Sequence, residues 1–253
     1  MQTSVGKALS LLTEVGALSS SREAVLSELA RRTGISKATT HRLLAELKVH
    51  GFVEQNAESS TYKLSRMVLV LGAQYQQGID LRRQALPVLE ALANQTKLTS
   101  HLAIQDGNEV IYIEKVETFH NVRIASGIGW RRKLHCTSLG KAILAFSGDE
   151  LINSILDGDL DEFTKNTITE REKLVAELKS VRRHGFAIDD TENQDEIRCV
   201  AAPVFDRNSR VVAAISVSAT TSQLSNESLA RVGETVKGYA LKLSEELGHV
   251  SVL

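Results

Sequence analysis

Residues 25–64 read "VLSELARRTGISKATTHRLLAELKVHGFVEQNAESSTYKL", and two glycines divide this stretch into pieces too short to fold independently. Before Gly34, the apolar residues Val25, Leu26, Leu29 and Ala30 predict a helix over about 25–32, which a residue free to take positive φ then ends. Ser36 is placed to cap the next helix with its hydroxyl. That helix is expected to reach about His50, where Gly51 closes it. Thr40, Leu43, Leu44 and Leu47 share its buried face, and Ala38, His41, Arg42 and Ala45 lie opposite. Val5, Ala8, Leu9, Leu12 and Val15 predict a helix over about 5–18. "FVEQNAESSTYKLS" then reads as a hairpin with Tyr62 and Leu64 on one face.

Helix, tight turn, helix and hairpin are laid out as in a winged helix-turn-helix, whose third helix enters the major groove of DNA. The free side of such a helix must offer short, polar or basic groups to base edges and phosphates. Lys37 and Arg42 suit phosphate or guanine, with Thr39 and His41 flanking the strip. Ala38 allows close backbone approach or touches a thymine methyl. Ser36 and the first-turn N–H groups suit a phosphate, and Lys63 on the wing adds a backbone contact. The competing reading is a helical module that binds protein, its charges merely solvating the surface. Charge distribution favours DNA. Residues 1–83 hold eleven lysines and arginines against seven acids, a net of +4, so the remainder carries −5 within a whole-chain net of −1. Such a sign change suggests two jobs in one chain.

Past the hairpin, "RMVLVLGAQYQ" (66–76) is unusually apolar for a connecting helix, and a second copy of the chain is the simplest cover for it. A helix over about 81–95 follows, with Pro87 expected to shift its start or kink it. "HLAIQDGNEVIYIEKVE" (101–117) reads as two strands joined at Asp106-Gly107-Asn108, and "VRIAS" (122–126) as another short strand. Helices are expected at about 138–147, 149–156, 170–184 and 226–247. "FAIDD", "IRCVAAPVFD" and "VVAAISVSAT" read as strands. Helices on a mostly antiparallel sheet make an α+β unit.

No stretch approaches the roughly 18 consecutive apolar residues of a membrane helix, and the N-terminus lacks signal-peptide features, so a cytoplasmic location is expected. The two cysteines, Cys136 and Cys199, read as reduced thiols rather than a disulfide or zinc site. A phosphate loop fails at "GWRRKLHCTSLGKAILA" (129–145), where His135 and Ala142 stand in place of the required residues. What remains is a helix opening at Thr137-Ser138-Leu139-Gly140, whose N–H groups favour an anion such as a carboxylate. Arg131, Arg132 and Lys133 upstream either add positive charge or form a solvated basic loop. His135 and Cys136, as neighbours in a strand, would face opposite ways. Asp189 and Asp190 read as paired carboxylates or a polar strand end. Ser216 and Ser218 share one face of an apolar strand, to be satisfied by a bound polar ligand or by internal hydrogen bonds. No metal, cofactor or catalytic constellation is expected. The rival reading is an enzyme turning over a small acid in its C-terminal part.

Taken in order, "VLSELARRTGISKATTHRLLAELKVHGFVEQ", "IGWRRKLHCTSLGKAILA", "RRHGFAIDDTENQDEIRCVAAPVFD" and "VVAAISVSA" resemble the IclR family of bacterial transcription regulators over essentially the full chain. The resemblance implies an N-terminal winged helix-turn-helix over 1–65, a linker and dimerisation helix over 66–82, and a GAF-like effector-binding domain over 83–253. It also implies homodimers, often dimers of dimers, on a double-stranded operator, controlled by an organic acid or aromatic catabolite. Carried over by position, the family's pocket would use the backbone at Ser138 and Leu139, polar contacts from Asp189, Cys199, Ser216 and Ser218, and a lining of Ile124, Arg132 and Ile197. Leu139 narrows such a pocket where relatives often have a small residue. Arg132, where relatives can be apolar, favours an acidic effector if it points inward. Thr40 stands where the family often has valine, its hydroxyl able to bond back to a carbonyl.

Overall fold

The computed structural model describes residues 3–18, 24–77, 80–117 and 124–250. They fold as two compact units, 1–78 and 79–253.

In the first unit, helices α1 (Ser4–Leu18), α2 (Leu26–Thr33) and α3 (Lys37–Val49) precede the two-stranded wing β1 (Val53–Gln55) and β2 (Tyr62–Leu64). Gly34 caps α2 at φ +67, a conformation costly for a residue with a Cβ. Ser36 Oγ accepts the N–H of Thr39 at 3.3 Å, so the chain re-enters a helix within two residues of Gly34. Leu11, Val15, Leu29, Leu44 and Val53 pack into one core with Tyr62, each large aliphatic side chain contributing about 1.5–3 kcal/mol by burial. Val25 and Leu26 are half-buried. Thr40 is fully buried and donates its hydroxyl to Ile35 O at 3.4 Å. The wing pairs Val53 with Leu64 and Glu54 with Lys63, and Tyr62 N donates to Ala24 O at 2.7 Å, tying the hairpin to the start of α2. Helix α4 (Arg66–Gln77) follows.

The second unit is a six-stranded antiparallel sheet in the order β5-β4-β3-β8-β7-β6, built from β3 (Thr99–Asp106), β4 (Glu109–Val116), β5 (Arg131–Lys133), β6 (Ala187–Asp190), β7 (Ile197–Phe205) and β8 (Val211–Thr220). Alternation along the strands separates two cores. Leu102, Val200, Ala202, Ile215 and Val217 pack against α5 (Asp80–Thr96) and α9 (Asn226–Glu246). Ala103, Ala201 and Ala214 pack on the other face, against α6 (Ser138–Ala145), α7 (Asp149–Leu156) and α8 (Arg171–His184). The turn between β3 and β4 is Gly107-Asn108, with Gly107 at φ +58.

Four expectations change. Ile124, Ala125 and Ser126 are not strand; Val122 and Arg123 lie outside the described residues. Arg131–Lys133 is a strand, not a loop, because it pairs with Glu109–Ile111. Pro87 sits two turns inside α5 and neither delays nor ends it. His135 and Cys136 lie in a bend before α6, so the alternation of a strand does not apply to them. Among the described residues, no helix is long and apolar enough to cross a membrane.

Candidate functional site

The free face of α3 carries Lys37, Ala38, His41, Arg42 and Ala45, all exposed, with Ser36 exposed and Thr39 half-buried at its start. Its cations differ from their neighbours. Arg31 and Arg32 are held by Glu28, with Arg32 also 3.0 Å from Glu14. Lys63 on the wing lies 2.8 Å from Glu54, whose carboxyl it holds below the usual range. Lys37, Arg42 and Lys48 form no ion pair among the described residues. Lys48, one turn beyond Ala45 on the same helix, was not singled out in the sequence. Ser36 and Thr39 also bond to each other, Oγ to Oγ1 at 3.0 Å, which holds the first turn of α3 in place.

On the α6 face of the sheet, the register places the second set of residues. Ser218 pairs with Cys199 and Thr99, Ser216 with Ala201 and His101, Asp189 with Cys199, and Ile197 with Thr220. Directly opposed residues share a face, so Asp189, Ile197, Cys199, Ser216 and Ser218 converge on the side that α6 covers. Ser218 Oγ lies 3.1 Å from Cys199 Sγ. Ser216 Oγ is buried and has no hydrogen-bond partner among the described residues.

Helix α6 packs over this face of the sheet, with Leu139, Ala142 and Ile143 in one core with Ala201 and Ala214. Thr137 Oγ1 accepts Gly140 N at 3.0 Å and donates to Lys133 O at 2.9 Å. Both Ser138 and Leu139 are buried, and among the described residues their N–H groups make no hydrogen bond. The N–H groups at a helix start favour a negative charge nearby. The Leu139 side chain is absorbed by the core with Ala103 and Val110, and only its backbone is available. Cys136 Sγ lies 4.0 Å from Asn193 Oδ1, and Asn193 N donates to Asp189 Oδ1 at 3.3 Å, linking the helix start to β6.

Two expected members stand apart. Ile124 is buried beside the row in an irregular segment, where Lys115 Nζ donates to Ile124 O at 3.0 Å and Ser126 O at 2.9 Å. Arg132 pairs with Val110 and so lies on the same side of the sheet, where its guanidinium sits 5.0 Å over the Trp130 ring and donates to Arg131 O at 2.8 Å. It borders an open cleft of 290 Å³ shared with Phe163, Asn193 and Gln194.

Sequence reasoning missed His101, Tyr112 and Ser126. His101 Nε2 lies 2.8 Å from Ser126 Oγ, its Nδ1 lies 3.5 Å from Ser218 Oγ, and the Tyr112 ring meets it edge-on at 5.2 Å. The signal was present, since His101 alternates with Thr99 and Ala103, but it becomes legible only once β3 is paired with β8. Burial, reinforced by Lys115, lowers the His101 pKa from 6.5 to about 3. The folded state therefore resists a proton that the unfolded chain accepts, and this group's stabilisation is full above pH 6.5 and drains as pH falls toward 3. His101→Gln keeps a neutral hydrogen-bonding group. It is expected to flatten the loss of stability between pH 6.5 and 4.5 by roughly 2–3 kcal/mol, read from urea unfolding at the two pH values.

Burial pushes Asp189 up to about 6, against the pull of Lys141 and of the N–H groups of Glu192 and Asn193. Burial likewise pushes the Cys136 thiol up to about 12 and raises Cys199, so both stay protonated at neutral pH. Among the described residues, no cluster of three or more metal-ligating side chains occurs.

Comparison with known proteins agrees with both halves. The IclR helix-turn-helix family model matches residues 4–57, and the bacterial transcriptional regulator IclR C-terminal model matches residues 73–245. The transcriptional regulator XynR of Escherichia coli is 37% identical over 228 residues, covering 90% of each chain. An IclR regulator structure from Alicyclobacillus acidocaldarius superposes with a TM-score of 0.84 at 30% identity, covering 95% of this chain and 98% of that one. An IclR homologue from Microbacterium hydrocarbonoxydans, solved with 4-hydroxybenzoate, shares the fold at a TM-score of 0.83 and 23% identity, covering 97% and 99%. With a family model matched across more than half its length, the chain belongs to the IclR family of bacterial transcriptional regulators.

Proposed function

We propose that this regulator acts in the cytoplasm as a repressor of a catabolic operon, and that a small carboxylate, either an organic acid or an aromatic catabolite, controls it. Residues 1–65 would read the operator, 66–82 would link and dimerise, and 83–253 would bind the effector. The operator half of this reading rests on the contrast along the first unit: Lys37 and Arg42 on the free face of α3 are exposed and, among the described residues, without acidic partners, whereas Arg31 and Arg32 on α2 and Lys63 on the wing are neutralised. Ser36, Lys37, Ala38, Thr39, His41 and Arg42 form the contact strip. Lys63 contributes only by exchanging Glu54 for a phosphate.

The effector half rests on the row of Asp189, Cys199, Ser216 and Ser218 on the α6 side of the sheet, where Ser216 Oγ is buried without a hydrogen-bond partner among the described residues; the start of α6 at Ser138 and Leu139 would receive the effector's carboxylate. Ile124 and Ile197 line its apolar side, and Arg132 stands at the cleft beside it. The 4-hydroxybenzoate bound by the Microbacterium homologue keeps an aromatic acid within the class. Helix α4 leaves Leu69 75% exposed, with Val70 and Leu71 also open to solvent, and a second copy would cover them. Two copies put two recognition helices on half-sites about one helical turn apart or a multiple of it. Differential affinity of the effector for two arrangements of the dimer would then shift DNA binding.

Fluorescence anisotropy on a duplex from upstream of the protein's own gene, beside a scrambled duplex and across salt, tests the reading. Specific binding that weakens steeply with salt is expected. Arg42→Ala is expected to weaken it by about 1–3 kcal/mol, roughly ten- to a hundredfold, with the melting temperature unchanged. Unaltered affinity in that variant would remove Arg42 from the interface.

A further inference from the structure

Strand β6 is the outermost strand at one margin of the sheet, with α9 packed on one face of the sheet and α8 on the other. Beside that margin lies an open cleft of 510 Å³, lined by residues of α8, β6 and the start of α9, which neither half of the proposed function uses. We propose that this cleft binds a linear polyamine, a methylene chain carrying two or more ammonium groups, as a second small-molecule site independent of the effector reading.

Its charge is one-sided. Three carboxylates line it, Glu177 from α8, Asp190 from β6 and Glu192 just beyond, and no lysine or arginine is among its lining residues. Each carboxylate is engaged through one oxygen. Glu177 Oε1 and Glu192 Oε1 share the Lys141 ammonium, and Asp190 Oδ1 takes Arg198 Nε at 2.5 Å. Two cations thus answer three carboxylates. Glu192 is the group that asks for a ligand: it is 6% exposed, and its Oε2 is buried with no hydrogen-bond partner among the described residues. An acceptor buried without a donor is costly, and an ammonium brings three donors together with the missing positive charge. His184 on the same wall donates Nδ1–H to Ser180 O at 2.9 Å, which leaves Nε2 of the neutral ring as a further acceptor.

The carboxylates do not converge on one point. Among the described residues, no three acidic, histidine or cysteine side chains are placed to hold a metal ion, so a compact divalent cation cannot engage Glu177, Asp190 and Glu192 together. Val181, Phe186, Ile188 and Leu229 make much of the remaining wall apolar. A chain of methylenes buries against that surface while its ammonium groups reach separate carboxylates. A monoamine meets only one of them.

Isothermal titration of the full-length protein without DNA, using spermidine, putrescine, n-butylamine and Mg²⁺, tests this. Putrescine is expected to bind at least about tenfold more tightly than n-butylamine, which forgoes a charge-assisted contact. Spermidine should bind more tightly still, and Mg²⁺ should not displace it. Ala230, exposed on α9 at the cleft, carries the mutational test. Ala230→Lys places an ammonium beside the carboxylates and is expected to weaken spermidine binding by roughly tenfold or more. Ala230→Glu, of comparable bulk, should leave it unchanged or tighter. Both variants are surface substitutions by good helix formers, so both should melt close to the parent. Equal loss in the two variants would overturn the charge readout. Binding of Mg²⁺ or n-butylamine as tight as that of putrescine would reduce the effect to diffuse attraction and overturn the polyamine site. Absence of both heat and a melting shift at millimolar spermidine would overturn it outright, and none of these results touches the operator or effector readings.

Discussion

Lys141→Ala is expected to cost about 3–5 kcal/mol of stability, because it removes the cation that holds two carboxylates in a buried charge cluster. Lys141 is 1% exposed on α6, and its ammonium joins Glu177 on α8 to Glu192 in the segment after β6. Burial disfavours its charge, but the two carboxylates outweigh that and hold the ammonium above its usual range. Without Lys141, Glu192 is left buried beside Asp189 with nothing to offset it. The loss should depend on pH, and its direction is fixed. Burial already pushes Glu192 up to about 7, so the folded state takes a proton more readily than the unfolded chain between its ordinary 4.5 and about 7. Stability from this group therefore falls as pH rises through that window, and removing Lys141 steepens the fall. Urea unfolding should show a larger penalty at pH 8 than at pH 5, and adding Glu192→Gln should recover much of it. A penalty independent of pH would mean that Lys141 acts through packing of its aliphatic stem.

Gly140→Ala sets helix propensity against packing. Alanine in a helix interior gains about 1 kcal/mol over glycine from propensity. Here its Cβ would stand 2.3 Å from Leu134 O and 2.5 Å from Leu134 Cα, and a backbone cannot turn aside as a flexible side chain can. Overpacking of this kind costs about 1–3 kcal/mol and occasionally more, so the net sign is destabilising. Position matters more than magnitude. Gly140 is the residue whose N–H Thr137 caps, so relieving the clash must displace the turn that presents the Ser138 and Leu139 donors. The expected result is a lower melting temperature together with lost effector response, while DNA binding by the separate N-terminal unit survives. A variant more stable than the parent would show that α6 slides without cost.

The periodicities of the sequence locate most elements within a residue or two because the elements are long and amphipathic: α3, α8, α9 and the pair β7–β8 announce themselves. Ser36 and Gly34 were legible because caps are local chemistry. The misreadings share one cause. Arg131–Lys133 becomes a strand only through its partner β4, and Pro87 sits inside α5 because tertiary packing covers the break that propensity anticipates. In the candidate site, Ser216, Ser218 and Asp189 could be singled out from alternation and acidity. His101 could not, because its place depends on the register of β3 against β8. Lys141 was invisible for a similar reason: both of its carboxylates are distant in sequence, so nothing near it marks it as buried.

The sheet's two margins have a consequence for how this chain survives its own synthesis. Strands β7 and β8, with runs such as "VVAAISVSA", have the β-branched, uncharged character that favours cross-β association, and they lie in the interior of the strand order. The outermost strands are three and four residues long: β5 is Arg-Arg-Lys, and β6 ends in two aspartates. Short, charged margins give an incoming strand little to template on. Neutralising Arg131, Arg132 and Lys133 together is therefore expected to raise inclusion-body formation well before it alters the native fold.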